Sequence, residues 1–342
     1  PVVRSSTIRM MFALAAEKEL YLHHVDVSTA YLNSQLNEEV YMRQPDGFVD
    51  ENNPKQVLRL KKAIYGLKQS GRAWNTTLDR AIRDIGFKPC ESEPCLYSMH
   101  QDSKFNLIAV YVDDILIACS DIEDVNAIKE LISRRFKLVD NGPVKHFLGM
   151  EIDRNGGTGK ISVGHKQYIT NLIRQYEMEN CRPASTPLDP GFQISCKNDN
   201  CERVDQNWYQ SIVGTLMYLA ISTRPDILHS VCKLAQRNQD PHSEHEQAVK
   251  HVLRYLSATK DLKLQYSKTG KLPEGFVDAD WASCSEDRKS YTGFSFFLAG
   301  CAFSWESKKQ SNIALSSTEA EFVALSTDRK STRLNSSHQV LS

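Results

Sequence analysis

Two adjacent carboxylates, Asp113 and Asp114, stand between two short apolar runs, residues 107–110 and 115–118. Each run is short enough to be one buried strand, so the tetrad Tyr-Val-Asp-Asp that begins at Tyr111 is predicted to form the turn of a hairpin. Neighbouring carboxylates repel each other, and a divalent cation bound between them relieves the repulsion. For the dipeptide alone a solvated Asp-Asp turn is the favoured interpretation, and a metal site becomes the better one only if other acids accompany the pair.

A third carboxylate, Asp26, lies upstream in an apolar stretch that reads as a strand. An unpaired charge in such a strand is costly. If Asp26 converges on the hairpin acids, the three would complete a two-metal site for moving phosphoryl groups, with cations ~3.5–4 Å apart. His23 and His24 precede Asp26, but successive strand residues point to opposite faces, so packing or surface roles are predicted for both histidines.

The sequence around these acids resembles a known family. Residues 26–33, Asp-Val-Ser-Thr-Ala-Tyr-Leu-Asn, and the tetrad at 111–114 resemble motifs A and C of a reverse transcriptase. Together with residues 41–48, Tyr-Met-Arg-Gln-Pro-Asp-Gly-Phe, they resemble the Pol polyprotein of copia-type long-terminal-repeat retrotransposons. The resemblance implies an α+β right-hand polymerase with palm, fingers and thumb, in which Asp26, Asp113 and Asp114 hold two Mg²⁺ ions, or Mn²⁺.

By the same resemblance, residues 63–74 are similar to motif B, which supports the templating base and the incoming nucleotide. Tyr31 matches the family's aromatic gate, whose ring would clash with a ribose 2′-hydroxyl; a core aromatic is the alternative. Residues 147–152 resemble the primer-grip hairpin, and residues 209–219 and 223–227 resemble the segment from thumb to connection. The residues that this assigns to nucleotide or template are Tyr31, Tyr65, Gly66, Lys68, Gln69, Ser70, Arg72 and Tyr111, and those assigned to the primer are Phe147, Leu148 and Gly149.

A second catalytic module is predicted to begin near Gly275. An acid, Asp278, follows a short apolar strand, residues 290–305 alternate as two more strands, and residues 315–325 start like a capped helix with acids in its first turn. This arrangement resembles the ribonuclease H domain fused to such polymerases. The resemblance implies that Asp278 and Glu321 are its first two metal ligands, with Asp280 and Glu319 as rivals that could equally be surface or helix-capping acids.

The two ends depart from the family. Residues 328–338 lack an apolar period and resemble the translation of a short-read sequencing adapter, so residues 328–342 are expected to be a non-native tail; a natural basic, Ser-rich tail is the alternative. The acids that complete a ribonuclease H site are therefore expected to be missing, ribonuclease H activity is not expected, and residues after about 327 are expected to be disordered. At the other end, residues 1–4 resemble a segment from the middle of the fingers subdomain.

Organisation follows from composition and periodicity. A chain of 342 residues is long enough for about two domains, and its formal net charge is zero. Helices are predicted at 73–85, 166–176, 209–220 and 246–256. In the last of them Val249, Val252, Leu253 and Leu256 make one apolar stripe, which is predicted to be core. The predicted domains are a fingers and palm part (1–155), a thumb and linker (156–202), a connection (203–272), a partial ribonuclease H-like part (273–327) and the tail (328–342).

Charge and cysteine usage bear on partners and location. Residues 54–78 carry six basic residues and no acid, interleaved with Tyr65 and Trp74. Such a stretch can pair with phosphates and stack on bases, or it can be a solvated basic face. Nine irregularly spaced cysteines favour reduced thiols in an intracellular protein. The sequence contains no run of 18 apolar residues, which argues against a membrane setting. The family implies the cytoplasm, in a retrotransposon particle, or the nucleus.

The sequence thus predicts an RNA-directed DNA polymerase. Its partners would be an RNA template, a DNA primer or RNA–DNA hybrid, and deoxynucleoside triphosphates. The alternative is a degenerate remnant that binds nucleic acid without catalysis, and the two departures at the chain ends favour it.

Overall fold

A computed structural model describes residues 1–101, 104–154, 159–189, 191–192, 194, 202–284 and 286–335. Residues 155–158, which belong to a turn that the glycines at 156, 157 and 159 predict, and part of the predicted linker at 182–202 lie outside the described residues. The elements run in the order α1 (Ser5–Glu17), β1 (Tyr21–Val27), β2 (Tyr41–Arg43), β3 (Val57–Arg59), α2 (Ser70–Asp84), β4 (Lys88–Cys90), β5 (Glu93–Gln101), β6 (Lys104–Tyr111), β7 (Asp114–Cys119), α3 (Ile122–Ser133), β8 (Leu138–Pro143), β9 (His146–Phe147), β10 (Met150–Arg154), β11 (Ile161–Gly164), α4 (Lys166–Gln175), α5 (Gln206–Ser222), α6 (Leu228–Ala235), α7 (Ser243–Ala258), β12 (Leu264–Tyr266), β13 (Glu274–Ala279), β14 (Tyr291–Leu298), β15 (Cys301–Lys309) and α8 (Ser317–Asn335).

The chain divides into two compact units. The first contains residues 1–4 and 20–144, and the second contains residues 5–19 and 145–336. The N-terminal helix α1 therefore belongs to the second unit, although it precedes the first unit in sequence. The segment was predicted to belong to the fingers. Nothing in its residues indicates that α1 packs with the second unit.

The first unit is built on a six-stranded sheet in the order β4-β5-β6-β7-β1-β8. The motif acids were expected on a three-stranded sheet backed by helices; the sheet is wider, because β4, β5 and β8 extend the strands β6, β7 and β1 on both sides. Alternate residues of β1 and β7 pack with helices α2 and α3 into one core, which includes Val25, Val27, Ile115 and Ile117. The opposite face of the same two strands carries polar groups at one end, His24, Asp26 and Asp114, and buried apolar residues at the other, Leu22, Leu116 and Ala118.

The second unit contains two further sheets, β12-β11-β10-β9 and β13-β14-β15. Helices α4 to α7 bury a common apolar cluster. The predicted stripe on α7 is confirmed as core, because Val249, Val252, Leu253 and Leu256 have no exposed surface. The β9–β10 hairpin and the three strands β13 to β15 also occur where the sequence predicted them.

The C-terminal helix α8 runs to Asn335. The expected loss of regular structure after about residue 327 is therefore wrong for residues 328–335. Helix hydrogen bonds are local and need no apolar period to continue, and this stretch contains no Gly or Pro that would stop them.

Candidate active site

The two hairpin acids meet Asp26 through strand register. Tyr111 pairs with Asp114 across a two-residue turn, which confirms the predicted hairpin. Strands β1 and β7 are antiparallel neighbours, and Asp26 lies directly opposite Asp114. Directly opposed residues project from the same face with Cβ atoms ~5 Å apart. The main chain adds a further link, because the Val27 amide donates to the Asp113 carbonyl at 2.9 Å.

The three carboxylates share one electrostatic field. Burial, followed by the negative charges of Asp113 and Asp114, raises the pKa of the Asp26 carboxyl above its ordinary value, while His24 opposes the shift. This repulsion is what a bound cation would relieve, and carboxylate oxygens are ligands that Mg²⁺ and Mn²⁺ prefer. The donor type and the field therefore fit a divalent cation.

The carboxylates do not, however, converge as a preformed metal site. The described residues contain no group of three or more His, Cys, Asp or Glu side chains arranged to hold a metal ion. The assignment of Asp26, Asp113 and Asp114 as metal ligands therefore stays a prediction. Like charges repel, and Asp114 turns one oxygen onto a histidine instead.

That histidine is His24, whose Nε2 lies 2.7 Å from Asp114 Oδ1. Its other ring nitrogen lies 3.3 Å from the Asn141 amide Nδ2. Sequence analysis assigned His24 a packing or surface role, and its contact with a candidate ligand was missed. The signal was available, since His24 is two residues before Asp26 and so projects from the same face of β1. His23 points to the other face, where its Nδ1 lies 2.8 Å from the Lys129 ammonium.

The backbone around the acids is strained. Val112, in the turn between β6 and β7, has a φ of 56°, and Thr29, after β1, has a φ of 52°. Both residues are β-branched, and such residues rarely adopt left-handed conformations, which cost ~1–3 kcal/mol each unless the surroundings hold them. The Trp74 indole nitrogen of α2 donates to the Val112 carbonyl at 2.7 Å. Helix α2 therefore holds the turn that carries Asp113 and Asp114.

A cavity of about 530 Å³ opens beside Asp113. The rings of Tyr31 and Tyr65 lie 6.0 Å apart between centroids and both line it. Tyr65 is 88% exposed. The structure thus brings the predicted aromatic gate, one motif B tyrosine and one candidate metal ligand to one cavity, which can receive a flat ring and a sugar. Tyr111, half-buried, does not line it.

The other motif B residues lie at the start of α2. Lys68 and Arg72 are exposed there, and Gly66 has a φ of 96° in the loop before the helix. Ser70 is 2% exposed and donates its hydroxyl to the Ile64 carbonyl, so it holds the loop. Trp74 is also 2% exposed and cannot stack on a base, contrary to the expectation for the basic stretch.

Gln69, half-buried, is the N-cap residue directly before α2. Helix N-termini favour anions, and the two exposed cations beside this one add to that field. The loop and first turn of α2 can therefore attract phosphate.

The predicted primer-grip residues form a tight hairpin turn in the second unit. Phe147 is buried and pairs with Met150, and Leu148 and Gly149 form the two-residue turn between them. The Leu148 carbonyl accepts a hydrogen bond from the Tyr218 hydroxyl at 2.9 Å.

The predicted ribonuclease H ligands both lie near the end of β13 in the second unit. Asp278 is exposed and lines a cavity of about 460 Å³, whereas Glu321 is absent from its lining and accepts a hydrogen bond from the Ala279 amide at 3.4 Å. Asp280 accepts from the Tyr291 amide at 2.6 Å and closes the turn between β13 and β14. Glu319 accepts from the Leu315 amide at 2.7 Å, the helix-capping role that was its alternative.

Comparisons with known proteins identify the family. The profile described as Reverse transcriptase (RNA-dependent DNA polymerase) matches residues 1–190. The chain belongs to the reverse transcriptase family. It is 37% identical over 333 residues to the Retrovirus-related Pol polyprotein from transposon TNT 1-94 of Nicotiana tabacum, a match that covers 95% of this chain and 25% of that protein. The predicted resemblance to copia-type Pol polyproteins is confirmed.

Two other relatives match most of this chain but differ in the share of their own length that the match covers. The Retrovirus-related Pol polyprotein from transposon RE1 of Arabidopsis thaliana is 36% identical over 94% of this chain and 22% of its own length. A Saccharomyces cerevisiae protein named for transposon Ty5-1 is 34% identical over 88% of this chain and 98% of its own length. This reverse transcriptase-family chain therefore spans about a quarter of the plant Pol polyproteins that it matches.

The family implies a polymerase fold, nucleic-acid templates, nucleotide substrates and divalent metal ions in general terms. The observed mixture of helices and several sheets agrees with that class. Within the described residues, no helix combines the length and apolar character needed to cross a membrane.

Proposed function

We propose that the first unit catalyses RNA-directed DNA synthesis, with Asp26, Asp113 and Asp114 as the metal-binding acids. The observation that carries the proposal is the register that sets Asp26 opposite Asp114 across β1 and β7, with Asp113 in the adjoining turn. Two divalent cations held there would lower the pKa of a primer 3′-hydroxyl and stabilise the pyrophosphate leaving group.

The chain's own residues would perform the remaining tasks. The Trp74 indole holds the turn at Val112 so that the two acids stay beside Asp26. His24 orients Asp114 through one oxygen, which leaves the other oxygen for a cation. Lys68 and Arg72, at the start of α2, would attract the triphosphate. Tyr31 and Tyr65 would contact the sugar and base within the cavity beside Asp113.

For the second unit, we propose that the Leu148–Gly149 hairpin contacts the primer and that residues 274–325 form part of a ribonuclease H-like module. Asp278 and Glu321 would be two of its acids, but no cleavage activity is proposed, because two carboxylates supply too few ligands to hold two cations.

Primer extension tests the proposal. The purified 342-residue chain, given an RNA template annealed to a labelled DNA primer and four deoxynucleotides, should lengthen the primer in Mg²⁺ or Mn²⁺. Chelation by EDTA should stop the reaction, since the acids alone cannot activate the hydroxyl. Omission of one deoxynucleotide should stop extension at the first template position that needs it. Extension that ignores the template would refute a templated polymerase.

A second candidate function is binding of nucleic acid without synthesis. It is favoured by the absence of a preformed metal cluster among the described residues. The same assay separates the two functions: retention of the labelled primer–template in a gel-shift experiment, without extension in either metal, would support binding alone.

Sugar selectivity gives a specific prediction for Tyr31. Replacement by Val removes the ring from the cavity wall, so Tyr31→Val should lower the preference for deoxynucleotides over ribonucleotides about tenfold or more, with little loss of deoxynucleotide use. Single-nucleotide incorporation kinetics with matched dNTP and NTP measure the ratio.

Tyr65→Val is the matched control, because its ring lines the same cavity from the motif B loop. It should weaken nucleotide binding and leave the sugar preference unchanged. Unchanged selectivity in Tyr31→Val would return Tyr31 to a core role.

A further inference from the structure

A chain of three polar side chains ends on the Leu148–Gly149 turn. Thr223 Oγ1 lies 2.7 Å from His165 Nδ1, His165 Nε2 lies 3.0 Å from the Tyr218 hydroxyl, and that hydroxyl lies 2.9 Å from the Leu148 carbonyl. His165 precedes α4, and Thr223 follows α5. Thr223, His165 and Tyr218 thus form a hydrogen-bonded relay. This relay joins the ends of two helices to one hairpin turn within the second unit.

The direction of the relay is fixed by proton counting. A carbonyl only accepts, so the Tyr218 hydroxyl must donate to Leu148 and must accept the proton of His165 Nε2. His165 Nδ1 then accepts from the Thr223 hydroxyl. The ring is 1% exposed, and burial lowers the pKa of His165 to about 4, so the imidazole is neutral at neutral pH. One tautomer satisfies all three hydrogen bonds.

The turn needs such support. Leu148 has a φ of 48° and Gly149 a φ of 81°, and leucine rarely adopts a left-handed conformation. A Cβ at position 149 would lie 2.5 Å from the Tyr218 hydroxyl oxygen, so Gly149 and Tyr218 fit each other closely. The position of this hydroxyl thus dictates both the conformation of the turn and the residue that it tolerates.

The turn is also open to a ligand. Gly149, His146 and Lys145 are exposed on this hairpin. The exposed main chain of the turn can meet a phosphate from the side opposite Tyr218, and Lys145, at the base of the same hairpin, supplies a positive charge. The Tyr218 ring also packs against the ring of Tyr168, at 5.3 Å between centroids.

We propose that Thr223, His165 and Tyr218 are positioning residues that hold the Leu148–Gly149 turn in the conformation that binds the sugar–phosphate backbone of the primer. The inference rests on the proposed function, because it requires that the chain bind a primer–template. It gives a role to the 209–219 segment, which the polymerase chemistry leaves without one.

The test uses the full chain with single-atom changes. Tyr218→Phe and Thr223→Val each remove one hydroxyl from the relay. Their matched controls are Tyr168→Phe, which removes a hydroxyl from the same aromatic cluster but outside the relay, and Thr223→Ser, which restores the hydroxyl. Affinity for a fluorescent RNA–DNA primer–template is measured by anisotropy, and turn mobility is measured by hydrogen–deuterium exchange of a peptide covering residues 146–152.

Tyr218→Phe and Thr223→Val should raise the dissociation constant about three- to tenfold and should speed exchange in that peptide. Both controls should stay within about twofold of the unmodified chain. Unmodified chain that fails to bind primer–template would refute the proposed function itself. Binding by the unmodified chain that neither relay variant weakens would refute the inference alone, whether or not exchange in the turn changes.

Discussion

Replacing Asp113 by Asn is expected to lower nucleotide incorporation at least about 100-fold, because it removes one negative ligand from a site where charge stabilisation dominates. The fold should survive. Asp113 is exposed, and its main-chain carbonyl, which accepts from the Val27 amide, is unchanged by the substitution. Steady-state primer extension measures the loss, and Mn²⁺ titration by electron paramagnetic resonance measures metal binding independently of turnover.

Glu123→Gln is the matched control, since it removes an exposed acid from α3 of the same unit. It should leave incorporation and Mn²⁺ binding unchanged. Incorporation by Asp113→Asn at a rate close to that of the control would remove Asp113 from the site. Lost incorporation with undiminished Mn²⁺ binding would instead mean that Asp113 acts on the substrate without holding the cation.

Local elements could be read from the sequence because their causes are local. The β6–β7 hairpin follows from two apolar runs separated by a two-residue turn. The stripe on α7 follows from its helical period, and each of its predicted core positions is buried. The family resemblance then supplied the partner for Asp113 and Asp114, since nothing in a single sequence states which distant strand pairs with a hairpin.

Long-range side-chain partners could not be read in the same way. The contact of His24 with Asp114 depends on the β1–β7 register, and that of Trp74 with Val112 depends on how α2 packs on the sheet. The alternation of side chains along β1 places His24 on the same face as Asp26. It does not indicate that Asp114 is the residue that His24 contacts. The positive φ angles of Val112 and Thr29 could not be predicted either, because β-branched residues rarely adopt the left-handed conformation.

The N-terminal helix shows the same limit at a larger scale. No helix was predicted for residues 5–17, and nothing in their sequence indicates the unit in which α1 is buried. The deciding residue is Arg9, which is 3% exposed. Its guanidinium donates to the carbonyls of Phe303, Ile221 and Ser222, at 2.8, 2.5 and 2.9 Å, and lies 3.8 Å from the centre of the Trp305 ring. One cation thus joins α1 to the end of α5 and to β15.

Arg9→Met is therefore expected to lower the free energy of unfolding of the second unit by about 2–4 kcal/mol, because the methionine fills part of the volume but leaves three buried carbonyls without their charged donor. Burial lowers the pKa of Arg9 only to about 10, so the guanidinium that is lost is charged at neutral pH. Urea unfolding followed by circular dichroism measures the change, and pulsed hydrogen exchange assigns it to peptides of the second unit.

Lys18→Met is the control, since it replaces an exposed cation just beyond the same helix and should shift the transition by less than about 0.5 kcal/mol. In Arg9→Met, exchange should rise in peptides from α1, the end of α5 and β15 together, because the cation contacts all three. Peptides covering the β1–β7 pair of the first unit should keep their protection. An unfolding midpoint equal to that of Lys18→Met would mean that apolar packing of α1, rather than Arg9, places this helix in the second unit.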